Sequence, residues 1–243
     1  MLFPSRSRPP RMRLSARQAY DVLAESYDQL PNPMLALERG AMAALIPPLA
    51  GLTVADLGCG TGRYAARALE QGARRVYAID VSRGMLLHSR HRLGADPRVR
   101  WVRADMEELP LADGSLDGVL SGLALGYARR LDRAVAEMGR ALRRGGFVLL
   151  SDLHPIGPSL GWAREYTLGA NGSFAKIVVD HHPYSFKRLF DLFFDAGFSL
   201  EELREVPVGD EVLPFARGLR ERWRVRRLRQ VPAVAVLHLR KED

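Results

Sequence analysis

The stretch Val54-Ala-Asp-Leu-Gly-Cys-Gly-Thr-Gly-Arg63 combines a short apolar run, an acid and three glycines at alternate positions. We interpret the apolar run as a β-strand that turns tightly into a helix, since residues 64–69 favour helix. Gly58, Gly60 and Gly62 have no Cβ, so the backbone can adopt positive φ and let a ligand lie directly against it. The helix N-terminus that follows offers unpaired N–H groups, so the stretch predicts a nucleotide site.

The spacing of the glycines distinguishes between nucleotides. A dinucleotide fingerprint, G-x-G-x-x-G, requires glycine at position 63, where this chain has Arg63. A nicotinamide-dependent oxidoreductase is therefore disfavoured. The segment Val76-Tyr-Ala-Ile-Asp80 predicts a second strand that ends in an acid, and this acid lies eighteen residues after Gly62. A carboxylate at that place can accept hydrogen bonds from both ribose hydroxyls of an adenosine.

The glycine loop and the acid together resemble the class I S-adenosylmethionine-dependent methyltransferases. The first motif of that family has the form of Asp56-Leu-Gly-Cys-Gly-Thr-Gly62 here. Within the family, the chain looks most similar to small-molecule enzymes of the ubiquinone and menaquinone type, also called methyltransferase type 11. The resemblance implies that Asp80 binds the cofactor ribose. It assigns the cofactor loop to five positions, namely Asp56, Gly58, Cys59, Gly60 and Gly62.

Two further segments match the family pattern on the adenine side of the cofactor. Val81 and Met85 follow the ribose acid, in the segment where the family packs a methionine on the adenine face. Asp105 and Met106 follow the third predicted strand. The resemblance implies that the Asp105 carboxylate accepts the adenine amine while the backbone N–H of Met106 meets the ring nitrogen.

Other segments match the family at the methionine end of the cofactor. Ser121 and Gly122 end the fourth predicted strand and would line that end of the site. A predicted amphipathic helix from Ser15 to Asp28 resembles the N-terminal cover of the family, whose tyrosine region closes over the cofactor. Tyr20 and Tyr27 are the corresponding rings. The alternative is that both simply pack the helix on the core, because aromatic residues at helical spacing usually indicate burial.

The rest of the chain alternates strands and helices, which predicts a parallel sheet covered on both faces. With two last strands at Leu200–Val206 and Val234–Arg240, the resemblance implies an α/β, Rossmann-like, seven-stranded sheet with an antiparallel edge hairpin. The expected organisation is a disordered basic tail over residues 1–14, N-terminal cover helices over 15–48, and a methyltransferase domain over 49–243 with substrate-side insertions near 155–180 and 209–231.

Methyl transfer from a sulfonium mainly requires a nucleophile held in line, about 3 to 3.5 Å from the methyl carbon. A base is needed only where that nucleophile must lose a proton. His154 closes the fifth predicted strand, and His182 resembles the histidine before the penultimate helix of the family. We expect either to act as the base, with a structural hydrogen bond as the alternative. No Cys/His cluster has metal-ligand spacing, so no metal site is predicted.

The composition limits the alternatives. The 243 residues carry a net charge of +8, and only three of the 36 basic residues are lysine, which suggests an arginine-favouring genome. Seven arginines surround one acid between Arg217 and Arg229. A solvated surface explains such runs; an anionic substrate or RNA is the alternative. The place of the Asn/Asp-Pro-Pro-aromatic motif of amino-methylating nucleic-acid enzymes reads Ser121-Gly-Leu-Ala, which disfavours that chemistry.

We therefore expect a cytoplasmic enzyme that transfers a methyl group from S-adenosylmethionine to oxygen, nitrogen or carbon of a small molecule. The acceptor is expected to be anionic or phenolic, since enzymes of this type act on quinone precursors, polyketides and other secondary metabolites. A homodimer is possible, and no apolar run approaches the ~18 residues of a membrane span. An RNA methyltransferase and a cofactor-binding member that transfers no methyl group stay open as alternatives.

Overall fold

The computed structural model describes residues 10–170, 173–216 and 218–242, and its main feature is a seven-stranded sheet. The spatial order is β4 (Val99–Arg103), β3 (Arg75–Asp80), β2 (Thr53–Leu57), β5 (Leu116–Gly122), β6 (Leu142–Leu153), β10 (Pro232–Lys241) and β9 (Phe198–Pro207). The first five strands are parallel, and β10 is antiparallel to both of its neighbours. The predicted Rossmann-like sheet with an antiparallel edge hairpin is confirmed.

Helices cover the sheet on both faces because its central strands are apolar on both sides. All five residues of β2 are buried. One face packs on α2 (Pro33–Leu45) and α3 (Arg63–Glu70), and the other packs on α5 (Leu131–Ala141) and α6 (Phe186–Asp195). A further helix, α4 (Arg83–Leu93), follows β3 and contacts it, as the alternation of elements predicts.

The strand order reverses between β2 and β5, which is where α/β sheets of this kind bind ligands. The connection from β2 runs through α3 to β3 on one side, whereas β5 begins the half of the sheet on the other side. The carboxyl ends of β2, β3, β4 and β5 therefore surround one crevice. Within the described ranges, no helix is both long and apolar enough to cross a membrane.

A second, three-stranded sheet lies outside this core, and the sequence did not predict it. Its order is β1 (Arg11–Leu14), β8 (Ser173–Val179) and β7 (Glu165–Ala170), with β1 parallel to β8. The prediction of a disordered tail up to residue 14 is therefore wrong for β1, while residues 1–9 lie outside the described residues. The predicted insertion near 155–180 contains the antiparallel strands β7 and β8.

The helix α1 (Ala16–Leu23) packs on this small sheet through Ala19 and Leu23. A capping box between Ser15 and Gln18 starts the helix, as the sequence predicts for Ser15. The helix ends earlier than predicted, and a short 3₁₀-helix, Tyr27–Gln29, follows it. The second insertion, near 209–231, forms the 3₁₀-helix Asp210–Phe215 and the helix α7 (Gly218–Arg227).

The space around two glycines, one inside the sheet and one on a helix surface, predicts opposite effects of substitution by alanine on stability. Gly118 lies on β5, and a Cβ there would overlap the ring of Phe147, so Gly118→Ala should lower the free energy of unfolding by about 2 kcal/mol. Gly40 is an exposed position inside α2 with open space around it, so Gly40→Ala should raise that free energy by roughly 0.5 to 1 kcal/mol. Urea unfolding of both variants checks the signs; equal effects would contradict this packing.

Candidate functional site

A cavity of about 400 Å³ occupies the crevice at the carboxyl ends of β2, β3, β4 and β5. Its lining includes residues from each of these strand ends and from the N-terminal cover. Eleven of the residues predicted from the sequence are brought together there, namely Tyr20, Tyr27, Gly58, Gly60, Asp80, Val81, Met85, Asp105, Met106, Gly122 and His182. The size suits a small-molecule or cofactor site.

Asp80 joins the glycine loop to the second strand of the predicted motif. Its Oδ2 accepts a hydrogen bond from the backbone N–H of Gly60 at 2.8 Å, and its Oδ1 accepts one from Ser82 at 2.8 Å. Each carboxylate oxygen has a further lone pair for a ligand hydroxyl. Burial raises the pKa of Asp80 to about 6, because the buried carboxylate has little solvation of its charge. Two ligand hydroxyls would stabilise that charge by donating hydrogen bonds to it.

The three loop glycines differ in what surrounds the position of a Cβ atom. Gly60 adopts a φ of 53°, and a Cβ there would meet nothing within 4 Å, so this position leaves the cavity open for a ligand. A Cβ at Gly58 would overlap that of Ala124. A Cβ at Gly62 would lie 2.5 Å from Ser89 Oγ, so Gly62 allows α3 to approach α4 and does not line the cavity.

Three residues predicted to bind the cofactor do not line the cavity in this structure, because their side chains are buried inside the protein. Asp56 is buried, and its Oδ2 accepts a hydrogen bond from Ala65 N–H at 2.9 Å in the first turn of α3. Cys59 is buried beside the loop, where burial raises the pKa of its thiol. Ser121 donates to the carbonyl of Leu57 at 3.0 Å. None of the three lines the cavity.

The cover helix is attached above the cavity by acids that the sequence analysis did not single out. The Asp21 carboxylate accepts from Ser82 Oγ at 2.6 Å and from Gly84 N–H at 3.1 Å. The Asp28 carboxylate accepts from Thr61 Oγ1 at 2.8 Å, next to the glycine loop. Asp21 lies on α1 and Asp28 on the 3₁₀-helix that follows it, so the N-terminal cover is attached both to the start of α4 and to the glycine loop.

Tyr20 and Tyr27 combine the two alternatives that the sequence left open. Both rings line the cavity, and both also pack in a cluster with Tyr127 and Tyr166. The hydroxyl of Tyr20 is hydrogen-bonded to those of Tyr127 and Tyr166. Burial raises the pKa of Tyr27 to about 12 and that of Tyr20 well above its usual value, so both phenols stay protonated near neutral pH.

The two predicted histidines occupy different places. His182 is exposed, lines the cavity and is positioned by its backbone N–H, which donates to the carbonyl of Gly126 at 2.7 Å. His154 lies outside the cavity: its Nε2 is 2.7 Å from Glu205 Oε1, and its Nδ1 accepts from Ile156 N–H at 3.2 Å. The structure favours the alternative reading of His154 as a residue with structural hydrogen bonds, since both ring nitrogens have partners.

Residues missed by the sequence analysis complete the lining. Arg17, Glu107, Tyr127 and Arg129 contribute to it, and no motif in the sequence distinguishes them. Leu123 also lines the cavity and has a φ of 55°, a left-handed conformation that is uncommon for a residue other than glycine. Among the described residues, no group of three or more His, Cys, Asp or Glu side chains is arranged to hold a metal ion.

The fold and the cavity define a Rossmann-like nucleotide-binding domain with a glycine loop and a buried ribose-type acid. Comparison with known proteins specifies the class. Residues 55–150 match the family model described as a methyltransferase domain. A demethylmenaquinone methyltransferase of Thermobifida fusca is 34% identical over 161 residues, which are 61% of this chain and 67% of that protein. The chain belongs to the class I S-adenosylmethionine-dependent methyltransferases.

Further similarities agree with this family. A malonyl-[acyl-carrier protein] O-methyltransferase of Pectobacterium atrosepticum is 37% identical over 170 residues, covering 67% of this chain and 64% of that protein. The solved structure of an S-adenosylmethionine dependent methyltransferase from Mesorhizobium loti is 27% identical, with a TM-score of 0.66 over 86% of this chain and 100% of its own. The chain spans between 25% and 64% of the length of the first curated relatives that it matches.

The buried Asp56 predicts a pH dependence of stability. Burial raises its pKa to about 7, against an ordinary value of about 3.9 in the unfolded chain. Because the folded protein holds this proton more tightly, the free energy of unfolding should fall as the pH rises from about 4 to about 7. Asp56→Asn keeps an oxygen for the Ala65 N–H and should reduce that fall by roughly 2 to 4 kcal/mol.

Urea unfolding at pH 4, 5, 6 and 7 measures this difference, with Asp113→Asn as the control. Asp113 is 81% exposed in its side chain and lies outside the cavity. The control should follow the wild type. If Asp56→Asn also shows the unchanged pH slope, the proton is not held by Asp56.

Proposed function

We propose that this protein transfers the methyl group of S-adenosylmethionine to a small-molecule acceptor. The observation that carries the proposal is the pairing of Gly60 and Asp80 in one cavity. Gly60 leaves backbone space for a ligand, and the buried Asp80 carboxylate beside it has lone pairs for two ribose hydroxyls. Both residues lie within residues 55–150, the range that matches the methyltransferase family model.

The cavity lining offers a role for each part of the cofactor. Asp80 would hold the ribose, while Asp105 and the backbone of Met106 would hold the adenine, with Met85 against its face. Tyr20, Tyr27 and Gly122 would surround the methionine end. When bound, the cofactor supplies a methyl group already activated by the sulfonium. The chain itself then has to exclude water, orient the acceptor and, for an acidic acceptor group, remove a proton.

The acceptor is proposed from the names of two relatives, which specify different substrates. The name of one relative specifies a malonyl group on an acyl carrier protein, and that of another specifies demethylmenaquinone. Transfer to oxygen of a carboxyl or phenol group, or to carbon of a quinone precursor, are the reactions we propose to test first. The cytoplasmic location, the homodimer and the disfavoured role of nucleic acid stay predictions from the sequence.

Calorimetric titration with S-adenosylmethionine, S-adenosylhomocysteine and NAD tests the cofactor. We expect both sulfur nucleotides to bind the wild type and Asp80→Ala to bind them about 10- to 100-fold more weakly, since the ribose loses its acceptors. Asp113→Ala, which removes an exposed acid outside the cavity, should bind as the wild type does. Binding of NAD alone, or an unchanged affinity in Asp80→Ala, would overturn the proposed function.

Methyl transfer is then measured as S-adenosylhomocysteine formed with malonyl thioesters, phenols and demethylated quinones. Accumulation of the demethylated cofactor together with a methylated acceptor would support an enzyme of this class. Tight cofactor binding with no product across the whole panel would instead favour a member that binds the cofactor without methyl transfer. This second outcome separates cofactor recognition from catalysis.

His182 is proposed as the base for acceptors that lose a proton. His182→Ala should lower kcat about 100-fold on such an acceptor while leaving cofactor affinity within twofold, because its ring lies in the cavity and not on the ribose acid. His181→Ala is the matched control: His181 neighbours it but does not line the cavity, and burial lowers its pKa. Equal rates in His182→Ala and His181→Ala would remove His182 from the reaction.

A further inference from the structure

A second cavity, of about 500 Å³, lies next to the cofactor cavity. Tyr20, Tyr27 and Leu123 line both, so these three residues form a shared wall. The far side of the second cavity is built from α2, β7 and the insertion that holds α7. Most of that lining is apolar and comes from segments distant in sequence, among them Met34, Leu153, Trp162, Val212, Val225 and Leu228.

The charged side chains that line this cavity already have ion-pair partners. Arg11 pairs with Glu165 at 2.8 Å, and Glu165 also pairs with Lys176. Arg164 forms a buried ion pair with Asp152, whose other oxygen accepts from Tyr184 and from a backbone N–H. An anionic ligand would therefore lose its water and have to compete with Glu165 and Asp152 for these cations, which costs several kcal/mol.

One buried donor in the lining nevertheless lacks a partner. The Arg164 side chain is only 9% exposed, its Nη1 donates to the carbonyl of Leu123 at 2.6 Å, and its Nη2 donates to Asp152. Its Nε–H has no hydrogen-bond partner among the described residues. Buried donors in folded proteins are almost always paired, so this N–H can serve an acceptor oxygen that the surrounding side chains do not supply.

The phenols of the shared wall are polar but add no charge. Tyr20 and Tyr27 keep their protons near neutral pH, because burial raises the pKa of both. Tyr166, which lines the second cavity, has its pKa raised for the same reason. The polar groups at this wall are therefore uncharged hydroxyls and one guanidinium N–H. This combination suits a ligand whose oxygen carries no charge.

We propose that the second cavity is the acceptor chamber and takes a neutral, largely apolar molecule with a carbonyl or hydroxyl oxygen. That oxygen accepts the hydrogen bond from Arg164 Nε–H, while the apolar body packs against Trp162, Val225 and Leu228. This assignment rests on the proposed function, because it places the acceptor across the shared wall from the cofactor. It narrows the expected anionic or phenolic acceptor to a phenol or another uncharged oxygen compound.

Equilibrium dialysis of the full chain, saturated with S-adenosylhomocysteine, tests the chamber with three probes of similar shape. These are 2-acetylnaphthalene, which is a neutral ketone, 2-naphthoate, which is an anion, and naphthalene, which has no oxygen. We expect the ketone to bind about tenfold more tightly than either of the others. Equal or tighter binding of 2-naphthoate would overturn the neutral assignment.

Two variants locate the binding. Arg164→Lys keeps a positive charge for Asp152 but removes the Nε–H, so the ketone should lose about tenfold in affinity while naphthalene is unchanged. Val225→Phe fills the chamber from α7 and should abolish ketone binding. Val22→Phe makes the same substitution at an exposed position of α1 outside both cavities and is its control. Ketone binding that survives in Val225→Phe as in the control would overturn the chamber.

Calorimetry with S-adenosylhomocysteine on the same samples separates the two levels of failure. Retained nucleotide binding in Arg164→Lys and Val225→Phe would show that both variants fold. A wild type that binds this nucleotide but not the ketone would overturn the chamber alone. A wild type that does not bind the nucleotide would overturn the proposed function itself.

Discussion

The site depends on the buried carboxylate of Asp80, which accepts one backbone N–H from the glycine loop and another from the start of α4. Two chain segments that follow different strands are thus fixed to one side chain. Burial of that carboxylate is unfavourable for its charge, and its pKa rises accordingly. The geometry persists because the surrounding sheet is packed tightly enough to hold the loop in place, and ligand hydroxyls could complete the solvation of the acid.

The loop glycines show how one sequence motif serves several physical needs. Gly60 leaves open space, whereas Gly58 and Gly62 allow the close approach of neighbouring chain segments. Asp56, at the start of the same motif, holds the first turn of α3 instead of facing the cavity. The motif therefore specifies a tight strand–turn–helix unit, of which only part contacts a ligand. The family resemblance predicts residues of which most line one cavity, while other positions of the motif act through packing.

The sheet and the cofactor side were predictable because their signals are local. Apolar runs, glycine spacing and the acid at Asp80 lie within short segments, and the observed bounds of β3 agree with the predicted strand. The small sheet was not predictable, since β1 has four residues and acquires its partner β8 from a segment more than 150 residues away. The hydrogen-bond partner of His154 was not predictable for a related reason: Glu205, which contacts its ring nitrogen, belongs to the distant edge strand β9.

The shared wall links the cofactor cavity to the second cavity through the N-terminal cover. Tyr20 and Tyr27 belong to the cover segment, which Asp21 and Asp28 attach to the nucleotide side of the domain. Any outward movement of that segment would open both compartments at once, because the same two rings bound each of them. The two compartments are therefore not structurally independent, since a change in the position of these two rings alters the wall of both.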